Sequence, residues 1–111
     1  MTTSKATIAA LLDGLAEAGP LRARAMFGEY ALYLEDKVVA LVCDDLLWLK
    51  LLPEARALLP DHPLGAPYPG ARPHICLEDA LDQPDLAATA LRRVAAALPP
   101  PKPRKPRRRP A

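Results

Sequence analysis

The chain has 111 residues, half of them hydrophobic and a quarter charged, a length that holds one small domain burying roughly two thirds of its unfolded surface and excludes a second. Its formal net charge of +2 hides an uneven spread: residues 1–98 carry all 13 acidic residues against nine basic ones, while 99–111 carry six basic residues and no acid. A body at −4 has no general affinity for polyanions, whereas a tail at +6 has one.

Ile8, Leu11, Leu12 and Leu15 recur at helical spacing, with Thr3 or Ser4 available to cap the start and Gly19-Pro20 to end the pattern. Before this helix there is no basic stretch followed by a long apolar core, and nothing approaches membrane-spanning length, so a cytoplasmic protein without a membrane association is expected. From residue 22 the period changes. Tyr30 to Leu34, Val38 to Cys43 and Leu46 to Lys50 read as strands, separated by Glu35-Asp36-Lys37 and Asp44-Asp45, and links this short require antiparallel neighbours. Residues 22–27 supply a strand before them, turning at Gly28-Glu29.

These strands are apolar on both faces. Helices can cover one; the other calls for the long loop or another chain, unless small residues such as Ala31 and Ala40 leave it tolerable in water. Pro53 suits the first turn of a short helix through Leu59. Residues 60–73 hold five prolines and two glycines, too many for a regular element, and form either a binding surface or a strap across the sheet. His74 to Leu77 reads as a last strand. Asp82 to Asp85 starts a helix whose apolar stripe is Ala87, Ala90, Leu91, Val94, Ala95 and Leu98, leaving Arg92 and Arg93 outside it. The domain therefore spans 1–98, and the alternating proline and basic residues of 99–111 form an extended tail.

Chemistry is hard to find. Ser4 lies near the N-terminus with only His62 and His74 in the chain as bases. His74 and Cys76 share a strand face but stand roughly 7 Å apart, outside hydrogen-bond reach. Cys43, Cys76 and His74 lack a diagnostic metal spacing, and the two thiols read as reduced and buried. Glu35-Asp36, Asp44-Asp45 and Glu78-Asp79 sit at turns, where solvated carboxylates are ordinary. Gly65 and Gly70 do not make a phosphate loop. No enzyme, cofactor or metal is expected. The tail residues Lys102, Arg104, Lys105, Arg107, Arg108 and Arg109 are candidates for non-specific nucleic-acid contact, each neutralised phosphate adding about −0.9 to the salt slope.

Taken in order, the helix, Arg24-x-Met26-Phe27-Gly28, the strands that follow and the triplet Trp48-Leu49-Lys50 resemble the N-terminal domain of the TfoX/Sxy family of bacterial competence regulators over about residues 4–98; Gly65 to Gly70 resembles one branch of it. The resemblance implies a two-layer α+β fold, an antiparallel β-meander sheet packed with N- and C-terminal helices. It also implies a non-enzymatic role in transcription regulation of DNA-uptake genes, acting through protein partners or a homodimer, in concert with a cyclic-AMP receptor protein in the best-known members. Glu29 stands where many members have a second glycine, and full-length regulators carry a further helical domain. Within this frame Arg24 pairs with a carboxylate or chain end, Met26 and Phe27 plug the helix layer into the sheet, and Gly28 supplies a turn conformation. Arg24 and Lys50 would form a spot for an acid or a partner.

Overall fold

The structure is a computed structural model and describes residues 3–26 and 29–99. Ser4 caps the first helix, α1 (Lys5–Gly14), by accepting the Thr7 N–H at 3.1 Å. The helix stops earlier than its apolar spacing suggests: a 3-10 turn over Ala16–Ala18 completes the run and keeps Leu15 fully buried. Gly19 then redirects the chain with φ 132°, and a Cβ there would lie 3.1 Å from Leu34 Cδ1.

The strands β1 (Leu21–Met26), β2 (Glu29–Leu34), β3 (Lys37–Cys43) and β4 (Leu46–Lys50) form the expected antiparallel meander. Glu35-Asp36 and Asp44-Asp45 all have φ between 53° and 63°, the left-handed backbone that two-residue hairpins require and that aspartate tolerates better than most side chains. In β3 the register against β2 shifts between Leu32 and Tyr33, so that Val39 and Ala40 are consecutive and both fully buried. An extra residue at that point accounts for an apolar run that strict alternation would not bury.

Pro53 opens α2 (Pro53–Leu58), as its fixed φ favours. The 60–73 segment is not wholly irregular. Leu64–Gly65 forms β5, paired with β6 (His74–Leu77), and the sheet order is β1-β2-β3-β4-β6-β5. Leu64, Gly65 and Ala66 are a proline-free stretch with amides to offer, and the free edge of β6 takes them up; Cys76 N–H also donates to Pro63 O at 2.8 Å. The last helix, α3 (Pro84–Ala97), buries Ala87, Ala88, Ala90, Leu91, Val94 and Ala95 and exposes Arg92 and Arg93. Lys37 Nζ donates to Ala95 O at 2.7 Å, a cation at the helix end where carbonyls lack partners.

Leu32, Ala40, Val42, Leu47, Leu49, Ile75 and Leu77 share one face of the α+β fold's sheet through their register and join Ile8, Leu11, Leu15, Leu91 and Val94 in a single core. A polar clasp secures the start of α1 to the sheet end. Glu29 Oε1 accepts from Thr3 N at 2.8 Å and Thr3 Oγ1 at 2.7 Å, and Oε2 from Asp44 N at 3.2 Å. Asp45 Oδ1 accepts from Ser4 N and Thr7 Oγ1, both at 2.8 Å. These bonds, the Ser4 N–H first, hold the Asp45 carboxyl below its ordinary range, so the Asp44-Asp45 turn is more than a solvated surface. Among the described residues no helix is long and apolar enough to cross a membrane.

Candidate functional site

The sheet face opposite the core presents the alternate positions of each strand. Arg22, Arg24 and Met26 of β1 lie on it, beside Tyr33 of β2 and Leu41 of β3, while Trp48 and Lys50 of β4 face the same way as His74 and Cys76 of β6. The 60–73 segment straps part of this face. Gly65 approaches Trp48 so closely that a Cβ would sit 3.1 Å from the indole ring, and Trp48 Nε1 donates to Cys43 O at 3.3 Å. Tyr68, 53 % exposed, closes a cleft of about 410 Å³ with Met26, Tyr30, Leu41 and Cys43, and the Glu29 side chain lies at its polar margin.

The structure rearranges the roles given to the motif. Met26 does not plug the helices into the sheet: it points to the uncovered face and is 40 % exposed, because the even-numbered positions of β1 turn away from the core that Leu21 and Ala23 join. Arg24 is exposed and makes neither ion pair nor hydrogen bond among the described residues. Its neighbour Arg22 takes the carboxylate instead, with Nη2 2.9 Å from Asp36 Oδ1 and the guanidinium 5.0 Å from the Tyr33 ring centre. Arg24 and Lys50 do not make one two-cation spot. They stand on β1 and β4, three strand spacings or about 14 Å apart across the sheet. Phe27, Gly28 and the tail cations from Lys102 to Arg109 lie outside the described residues.

His74 and Cys76 are on one face of β6, as their spacing requires, but no hydrogen bond joins them among the described residues; His74 Nδ1 donates to Arg72 O at 2.7 Å. The histidine the sequence left unplaced is His62. Its Nε2 lies 3.1 Å from Asp79 Oδ1, and the pair shares a shallow cleft of about 320 Å³ with Asp61, Pro63, Glu78 and Cys76. Only the β5–β6 pairing brings these residues together, across 17 positions of sequence. Burial first, then the Glu78 charge, pushes the Cys76 thiol up, the opposite of what a nucleophile needs. Cys43 is pushed to about 11, by burial and then by the charges of Glu29 and Asp44. Both thiols are free and buried on strands that β4 separates, two spacings or about 10 Å, too far for a disulfide. Among the described residues no group of three or more His, Cys, Asp or Glu is arranged to hold a metal ion.

A reactivity prediction follows from the thiols. At pH 8 about 0.1 % of Cys43 is thiolate, so iodoacetamide should modify it in the folded chain roughly 100-fold more slowly than an ordinary cysteine. Mass spectrometry of peptides labelled in buffer and in urea checks this; equal rates in the two solvents would contradict the burial.

The model of the TfoX N-terminal domain family matches residues 13–98. A protein of Spirochaeta aurantia, described as an uncharacterised 12.7 kDa protein in the trpE 5′ region, is 42 % identical over 108 residues, which cover 95 % of this chain and 91 % of the relative. No solved structure matches.

Proposed function

This chain belongs to the TfoX N-terminal domain family, and from that premise we propose that it is a non-enzymatic interaction module of transcription regulation, cytoplasmic in setting, that works through a protein partner held on the uncovered sheet face. The observation that carries the reading is the cleft between Met26, Leu41 and Tyr68. It is walled mainly by apolar side chains on the side of the sheet away from the core, and two of its members are 40 % and 53 % exposed. Exposed apolar surface that the fold itself leaves uncovered is what a partner buries. The raised thiols argue against chemistry through a cysteine nucleophile here. The six cations of 99–111 favour a second reading, an accessory nucleic-acid binder.

Affinity capture from the native host with the full chain and a 1–98 truncation in parallel separates the two. The first reading expects the same partner on both baits, lost on Leu41→Lys; the second expects nucleic acid on the full chain alone, eluted by salt. A monomer that retrieves no protein on either bait would count against the first.

A further inference from the structure

The sheet ends differently on its two sides. At one end β5 has two residues, too few to offer a ladder; at the other, β1 offers six, and no described strand lies beyond it. In an antiparallel pair, alternate residues direct their N–H and C=O away from the partner strand. About half of the β1 backbone groups therefore face outward. Exposure runs from Arg24 to Met26 along this edge. Natural edges of this length are normally covered or blunted.

We propose that β1 is a strand-addition site: it takes an extended peptide segment as a seventh strand, with an acidic side chain against Arg24 and an apolar one two residues away against Met26. This deepens the reading of the chain as an interaction module and rests on it. Arg24 carries the choice of partner. Among the described residues it is the cation at this edge without a carboxylate, since Asp36 already engages Arg22, and it borders a cleft of about 340 Å³ with Ala25, Met26 and Tyr33. Met26 joins that cleft to the larger one beneath Tyr68. Arg24 and Met26 are two apart on one strand and so share a face, and an added strand with the same period sets its own alternate side chains beside them.

The same geometry disfavours a second copy as occupant. A two-fold axis normal to the sheet places β1 residues of equal parity opposite one another, and with the axis at Arg22, Ala23 or Arg24 this sets arginine against arginine in the two copies. An acidic strand meets attraction where a second β1 meets repulsion. Backbone hydrogen bonds would supply affinity, and the Arg24 and Met26 positions would supply selection.

The test uses the full chain with a synthetic peptide of alternating Thr and Val in which one Glu stands two residues from a Leu. Amide shifts in heteronuclear NMR spectra should saturate at about millimolar peptide and concentrate in residues 21–26. Exchanging the peptide Glu for Lys should weaken binding by about fivefold, and Arg24→Glu should invert that preference. N-methylation of the peptide at its edge-facing amides should abolish binding without touching the protein. Shifts that map elsewhere, no saturable shift, or unchanged preference in a folded Arg24→Glu chain would overturn the proposal. Concentration-dependent protection of the 21–26 amides without peptide would also overturn it, in favour of a second copy. In the host capture experiment, a partner retained equally by Arg24→Glu would sink the β1 site and leave the interaction reading standing; no partner on any bait would sink that reading itself.

Discussion

Leu49→Ala should cost the fold about 4 kcal/mol, toward the upper part of the 2–5 kcal/mol range for leucine truncations in cores. Leu49 is fully buried in β4 and lies between Ala40 of β3 and Ile75 of β6. Its neighbour on one side is thus a residue with no side chain able to swing into the gap, and on the other a β-branched residue stiff at χ1. The cavity stays open, and its lining forfeits both transfer free energy and dispersion contacts. Against a total stability that for domains of this kind is about 5–15 kcal/mol, the loss is visible as a large drop in the urea midpoint at unchanged slope. Leu12→Ala is the comparison. Leu12 is only partly buried against the same core, and its truncation should cost clearly less. Equal midpoints for the two variants would show that the cavity at Leu49 collapses.

Glu29→Ala should be the most damaging change to a polar residue, at about 2–3 kcal/mol. One carboxylate satisfies three donors from two distant parts of the chain: the N–H and hydroxyl of Thr3, which is 6 % exposed, and the Asp44 N–H in the β3–β4 turn. Truncation leaves those donors without their acceptor near the core edge, and Thr3 Oγ1 is left with Val42 O at 3.1 Å. Glu29→Gln should recover little. Both carboxylate oxygens accept here, so one of them would be replaced by an NH2 group facing an N–H. The effect should be local first. Amide exchange in the Lys5–Gly14 helix should accelerate more than in α3, because the clasp joins that helix to the sheet and α3 is held by its own apolar stripe. Uniform acceleration through the molecule would show that α1 is not a separately opening unit.

The two hairpin turns show where local reading succeeds. Glu35-Asp36 and Asp44-Asp45 are polar breaks between apolar runs, and any link that short forces an antiparallel partner whatever the rest of the chain does. β5 shows where it fails. Two residues carry no period, and Leu64–Gly65 becomes a strand only because β6 has an edge to pair with. Met26 is a subtler case. Its alternation with Arg24 puts the two on a shared strand face, but which of the two faces the helices occupy depends on where α1 and α3 pack. Glu29 read as a departure from the family pattern at a turn. Its bonds to Thr3, 26 residues away, give that departure a structural role in this chain.

By itself, then, the sequence determined the order and type of the main elements, the antiparallel meander from β1 to β4 and the family, because helical and strand periods and short links are consequences of covalent geometry acting over a few residues. Only the tertiary structure decided that Arg24 has no partner among the described residues and stands on the outermost described strand, about 14 Å from the strand of Lys50, that Met26 faces away from the core, and that His62 meets Asp79. Those facts depend on which face is buried and which strands become neighbours. Both are settled by contacts between residues far apart in the chain, to which local periodicity is blind.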